Sequence, residues 1–437
     1  MSRVGSSAAS GRHSRPGVVP GRVLYVQHAG CLGGSALSLR YLVQSMQDVG
    51  VECIVALARP CAELVEFYEA AAIKTLSAPD ICCWDHSTVA PRSLSNPRHL
   101  ADLASVATRW RASQEATLRL VDDVAPDLVH LNSMPLSSSA SILTKAGVPF
   151  VWHVREPPPD QGVRTAMIRR IMLAAPQCVF ITEYDKREWI GDAPARIIYN
   201  SVPDTWFERP PPARGRNDDG VVRFAYLGGF AAAKGATVLL EALRILQRTQ
   251  SGWECVMPGC LSDARYPRKD RWVKRVARAL GVPDPARRFV AAYATLAPAV
   301  VLRPFCTDIA GFLETVDFIV FPATLPHFPR PVIEAAALGK PAVGTDVGGV
   351  NECIVDGETG LLCRPGDAGS LAAALAEMIR RPDLRAATGN RARQRAQAMH
   401  SLSAQRLAVA DVYRDVLRRP IEAARSPADS RVGSSAS

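Results

Sequence analysis

"FIVFPATLPHFPRPVIEAAALGKPAVGTDV", Phe318–Val347, carries the plan of the whole chain. "FIVFPA" and "PAVGTDV" are short apolar runs that read as buried strands, and Pro331–Leu338 between them reads as a helix. A strand–helix–strand unit lays its two strands parallel, because a parallel pair needs a crossover. One residue resists that reading. Glu334 stands between Ile333 and a run of alanines, on a helix that opens beyond the carboxyl end of a strand, where α/β sheets bind ligands. A carboxylate there can accept hydrogen bonds from the paired hydroxyls of a ribose. Equally, glutamate favours a helix N-terminus through the dipole. Four residues earlier, Arg330 offers a planar fork suited to phosphate.

The same period extends in both directions. In the first half "RVLYVQHA" (Arg22–Ala29), "VECIVALA", "DLVHLN", "PFVWHV", "QCVFIT" and "RIIYNS" read as strands. Helical stretches separate them, such as Ala36–Gln47, where Leu39, Leu42, Val43 and Met46 share a face. Asp204–Gly220, "DTWFERPPPARGRNDDG", is rich in proline, glycine and charge and reads as a linker. The pattern then restarts with "VRFAYLG", helix Thr237–Gln247 and "WECVMPG", and three helices follow Ser370. The expected class is α/β, two doubly wound Rossmann-like domains with a cleft between them. The expected bounds are a disordered tail at 1–20, a first domain at 21–203, the linker at 204–220, a second domain at 221–400, a last helix at 401–420 and a second tail at 421–437.

Composition narrows the function classes. A chain of 437 residues, 48% hydrophobic and 22% charged, is globular and long enough for two cores. Its apolar runs are too short to cross a membrane, and the Ser/Gly/Arg-rich start has no apolar centre, so a cytoplasmic protein without a secretory signal is expected. Eleven cysteines are scattered with no C-x-x-C pair, which argues against structural zinc or a disulfide framework. The formal charge of +10 favours anionic company. Arginines spread along the chain, without aromatic nucleic-acid motifs or finger spacing, argue against nucleic acid.

Three glycine turns stand where ligands would bind. Gly33 and Gly34 close the first strand and open a helix, with Ser35 as candidate N-cap. Gly228 and Gly229 do the same in the second half, followed by Lys234. A Walker A loop would need glycine at 233 and Ser or Thr at 235; Ala233 and Gly235 exclude it. A lysine at a helix start opposes the dipole, so an anion bound there is the better reason for it. Gly348 and Gly349 form the third turn, ahead of Asn351 and Glu352.

In this order, these parts resemble the family-4 retaining glycosyltransferases of the GT-B fold, also called glycosyl transferases group 1. The likeness is strongest from Phe318 to Asp367, which includes "PATLPHFPRPVIEAAALGKPAVGTDVGGVNECIVDGETGLLCRPGD", Pro322–Asp367. It is weaker in the "GGS" turn, "DLVHLNS", "VPFVWHVRE", "IIYNSVP" and "VYRDVL". The resemblance implies a C-terminal helix that returns to the first domain. It also implies a nucleotide-sugar donor, a UDP or GDP sugar, with Glu334 on the ribose, Lys234 on the diphosphate and His153 near the donor's sugar. Gly33, Gly34, Gly228, Gly229, His327, Phe328, Arg330, Gly348 and Gly349 complete the implied donor site. No metal and no cofactor are expected. The acceptor would be a glycan or a lipid-linked glycan in cell-surface polysaccharide synthesis.

Two positions depart from the family's pattern. The first glutamate of its Glu–seven–Glu motif falls on Pro326, and the arginine before the lysine falls on Gly229. His327, Arg330 or Arg155 are the candidate substitutes. Two other readings follow: a non-catalytic module of the same fold, or a nucleotide-sugar epimerase, for which Asp85 and Glu156 are the available first-domain acids. The basic stretch Val163–Ala174 reads either as an ordinary packed helix or as a cationic surface for peripheral contact with an acidic membrane at the inner face of the cell membrane.

Overall fold

The computed structural model describes residues 20–84, 97–210, 220–230, 232–259, 285–304 and 306–418. Nearly all of both expected tails, residues 211–219 of the linker and Asp85 lie outside them. The first sheet contains β1 (Arg22–Gln27), β2 (Glu52–Leu57), β3 (Lys74–Ser77), β4 (Leu128–Asn132), β5 (Phe150–Val154), β6 (Cys178–Phe180) and β7 (Arg196–Ile197). The second contains β8 (Val222–Ala225), β9 (Trp253–Pro258), β10 (Val300–Arg303), β11 (Phe318–Phe321), β12 (Ala342–Thr345) and β13 (Gly360–Cys363). All strand pairs are parallel.

The order is β3-β2-β1-β4-β5-β6-β7 in one sheet and β10-β9-β8-β11-β12-β13 in the other. Counted from its own first strand, each sheet runs 3-2-1-4-5-6, and the first adds a seventh strand. The direction of winding therefore reverses between β1 and β4, and again between β8 and β11. Those two gaps are the crevices in which such sheets bind ligands.

Each sheet is buried on both faces. Helix Ala236–Thr249 supplies Leu239, Leu243 and Leu246 to one face of the second sheet, beside Leu371 and Leu375 of helix Ala368–Arg380. The last helix, Leu402–Arg418, leaves the second domain and packs Val409, Val412, Tyr413 and Val416 into the core of the first, against Leu39 and Val43. The chain thus crosses between domains twice, and the crossings lie side by side. Val202 N–H donates to His400 O at 2.9 Å, and Ser201 Oγ donates to Gln405 Oε1 at 2.8 Å. Inside the expected linker the structure has a short helix, Thr205–Glu208. Strands β3, β10 and β13 were not read from the sequence. "RIIYNS" pairs over two residues only.

Candidate functional site

The second crevice is built from three loops. After β8 the chain makes one 3-10 turn, Ala232–Lys234, and enters helix Ala236–Thr249 through Gly235. Gly235 has φ +78, and a Cβ on it would stand 1.7 Å from the Pro322 carbonyl oxygen, so no other residue fits. Thr324, just beyond β11, holds this loop by donating its N–H to Ala233 O at 3.0 Å. His327 N–H donates to Gly348 O at 3.1 Å, joining the third loop.

Lys234, His327, Gly228, Gly229, Gly348 and Gly349 are thereby gathered at the ends of β8, β11 and β12. Lys234 is half-buried, and burial pushes its ammonium pKa down. Among the described residues no carboxylate pairs with it. His327 stacks on Phe321 with ring centroids 6.1 Å apart, and burial together with the Lys234 charge lowers its pKa to about 4. Among the described residues the crevice therefore holds a cation, a neutral imidazole and the amide end of a helix. Such a set accepts an anion. Around Gly229 nothing lies within 4 Å of where a Cβ would stand. Phe328 is buried and meets His400 edge-on at 6.2 Å, a packing contact below the crevice.

Arg330 and Glu334 lie one turn apart on helix Arg330–Ala337, with side chains only 12% and 9% exposed. Arg330 Nε is 2.9 Å from Glu334 Oε1, at ion-pair distance although its N–H is not aligned with that oxygen. Nη1 donates to Ser38 Oγ at 2.8 Å and Nη2 to Ser201 O at 3.2 Å. The guanidinium carbon lies 5.4 Å from the Tyr41 ring centroid. Its fork is thus turned toward the first domain and not toward the lysine loop. Burial raises the Glu334 pKa and Arg330 pulls it back.

Across the cleft the first crevice is closed by its own side chains. Asn132 donates to Gln27 Oε1 at 2.7 Å; Arg155 donates from Nε to Asn132 Oδ1 at 2.6 Å and from Nη1 to Asn200 Oδ1 at 2.5 Å. Burial lowers the Arg155 pKa to about 10. His153 is fully buried on β5. Its Nδ1 lies 3.2 Å from His130 Nε2, and His130 Nδ1 lies 2.7 Å from the Tyr413 hydroxyl of the last helix. Burial, with Arg155 nearby, lowers both histidine pKa values and keeps both rings neutral. The structure sets His153 beneath the first crevice, with Nε2 buried and without a hydrogen-bond partner among the described residues. Glu156 is engaged by the Ser133 hydroxyl. Gly33 and Gly34 are exposed at the start of helix Gly34–Gln47, facing open space; Gly33 is the N-cap position, with no side-chain cap, so Ser35 does not cap this helix.

One contact had only a faint sequence signal. Glu352 of the "GGVNE" turn accepts from the N–H groups of Glu183 and Tyr184 at 2.8 and 2.9 Å and from the Tyr199 hydroxyl at 3.1 Å. A second-domain carboxylate thus caps a first-domain helix, Glu183–Ile190. Gly348 belongs to the same seam, since a Cβ there would stand 2.1 Å from the Tyr184 ring.

Two family models match the chain in succession: Glycosyltransferase Family 4 over residues 32–206 and Glycosyl transferases group 1 over residues 212–395. Glycogen synthase of Mycobacterium tuberculosis is 28% identical over 227 residues, 51% of this chain and 49% of that protein. D-inositol 3-phosphate glycosyltransferase of Corynebacterium kroppenstedtii is 30% identical over 197 residues, 45% of this chain and 41% of that protein. The chain spans about half the length of the curated relatives it matches. Among solved structures, Anabaena HepE in complex with UDP and glucose aligns over 89% of this chain and 98% of its own, with TM-score 0.64 and 19% identity. Sucrose-phosphate synthase of Thermosynechococcus elongatus aligns over 90% and 98%, with TM-score 0.65 and 17% identity. The fold is GT-B.

Proposed function

The chain belongs to the group 1, family-4 glycosyltransferases, and on that premise we propose that it moves a sugar, with retention, from a UDP or GDP sugar to a glycan or lipid-linked acceptor. The observation that carries the donor half is Lys234, a half-buried cation without a carboxylate partner among the described residues, at the reversal point of the second sheet. A diphosphate fits that charge, and the amide end of helix Ala236–Thr249 adds to it. HepE was solved with UDP and with UDP-glucose, which favours uridine. In this reading the diphosphate's charge, which grows as the glycosidic bond breaks, is met by Lys234 and helix amides, without a metal. Catalysis is then positioning plus electrostatic stabilisation of the leaving group.

The acceptor half rests on helix Val163–Ala174. Val163, Met167 and Leu173 are 88%, 44% and 56% exposed, Arg170 is exposed with them, and the helix has no acid. An apolar face with a cation in it suits the surface of an acidic bilayer, where a lipid-linked acceptor of polysaccharide synthesis would be met, on the cytoplasmic side. Met167→Glu with Leu173→Glu is expected to abolish sedimentation with phosphatidylglycerol vesicles while leaving donor binding unchanged.

Pro326 and Gly229 favour a second reading, a donor-binding module without turnover. Nucleotide release from UDP, GDP and ADP sugars, with and without acceptor, separates the two. Release that requires acceptor supports the transferase, and binding without release supports the module.

A further inference from the structure

Arg330 has an unusual set of partners for a residue at the edge of a nucleotide site. It belongs to the second domain, yet two of its three nitrogens are spent on the first, on Ser38 Oγ and Ser201 O, while the third faces Glu334 on its own helix. Tyr41 covers its face. Ser38 and Tyr41 lie on helix Gly34–Gln47, which opens at the Gly33–Gly34 turn, and Ser201 lies on the interdomain crossing. The two guanidinium nitrogens that make these hydrogen bonds are therefore engaged only while the two domains are together. Among the described residues, Glu334 Oε2 has no hydrogen-bond partner.

We propose that Arg330 is a positioning residue that couples closure of the cleft to the donor site: anchored by Ser38 and Ser201, it holds Glu334 by Oε1, ionised and oriented, with Oε2 left for a donor hydroxyl. This rests on the reading of a nucleotide-sugar donor given above. A buried carboxylate without a cation takes up a proton instead of paying for its burial. The groups that face Glu334 are Arg330 and the neutral Tyr41 phenol, whose own pKa burial raises. Without Arg330 nothing among these keeps Glu334 charged at mildly acid pH. When the domains part, the anchors on Ser38 and Ser201 are lost and the guanidinium is free to turn. The grip on the donor then loosens with the opening.

The test uses the full chain, with Arg330→Met, Arg330→Lys and Ser38→Ala, in two measurements. UDP-sugar affinity is titrated from pH 6 to 9. Arg330→Met is expected to lose at least tenfold in affinity at pH 6 and to recover most of it by pH 9, because Glu334 ionises as the pH rises. Arg330→Lys keeps the charge and stays nearly flat with pH, and Ser38→Ala loses a few-fold at all pH values. A loss in Arg330→Met that is equal at every pH would mark a merely structural role and overturn the proposal. Hydrogen exchange is measured without ligand. Faster exchange confined to residues 34–41 and 199–202 is expected in Arg330→Met and Ser38→Ala, and unchanged exchange there overturns the latch. If the parent binds no sugar nucleotide, the donor reading fails, while the exchange data still decide the latch.

Discussion

The two sheets share a strand order but treat their crevices in opposite ways. Beyond β1 and β4 the polar side chains answer one another: Gln27 with Asn132, Asn132 with Arg155, Arg155 with Asn200, His153 with His130 and Tyr413. Beyond β8 and β11 stands Lys234, whose charge meets no carboxylate among the described residues. A buried polar group is normally paired, and the first crevice pairs most of its groups internally, His153 Nε2 excepted. A shared strand order thus yields one crevice whose polar side chains mostly pair with one another and one that carries an unbalanced charge among the described residues, and the difference lies in a few side chains at strand ends.

The comparison is broken most severely from the first side. Arg155→Met removes the donor to two buried acceptors, Asn132 Oδ1 and Asn200 Oδ1. At about 1–3 kcal/mol for each orphaned group, thermal unfolding should move down by several degrees. If Arg155→Met melts with the parent, the first crevice is not held by this network.

Lys234→Ala should do the reverse. It removes a partly buried cation that pairs with no carboxylate among the described residues, so the melting temperature should stay level or rise. Affinity for a nucleoside diphosphate should fall by about 1.5–3 kcal/mol, the worth of a charge-assisted contact. Calorimetric titration of UDP against parent and variant reads this directly. Equal affinities would mean that the diphosphate, if bound, sits elsewhere.

How much of this was open to reading follows from which forces act locally. The parallel period was legible because buried strands such as "FIVF" and "CVF" are uniformly apolar and set off by turns. β3, "KTLS", was not, because a partly exposed edge strand carries no apolar run. Lys234 stood out because a cation at a helix start is locally wrong. Arg330 and Ser38 are 292 positions apart, and no local pattern says that one will plug onto the other. The resemblance put His153 near a donor's sugar; what strand position alone did not show is that its Nδ1 meets His130, which in turn meets Tyr413 of the last helix. Glu352 was visible as an acid after two glycines. That it would cap a helix of the other domain was not.

At the seam between the two regions the expected effect depends on pH, and that dependence sharpens the comparison. Asp185 is buried on helix Glu183–Ile190, where its N–H is taken by the Thr182 hydroxyl at 2.9 Å. Burial, with the Glu156, Glu352 and Glu188 carboxylates nearby, raises its pKa to about 8 against the Thr182 contact that lowers it. In the unfolded chain an aspartate ionises near pH 4. The folded-state value is therefore the higher one, and the contribution to stability is fully present below about pH 4 and lost as pH rises toward 8. Over that window the unfolded chain has released a proton that the folded chain keeps, so stability falls with pH. Asp185→Asn cannot ionise. Its melting temperature should match the parent's near pH 4 and exceed it by a widening margin, a few degrees by pH 8, levelling off above. The carboxylate of Glu352, which ties the second domain to the same helix, would then have one fewer like charge beside it. A difference between variant and parent that is the same at pH 5 and pH 8 would mean that Asp185 titrates as an ordinary surface acid, and that the seam is wetter than the packing around it indicates.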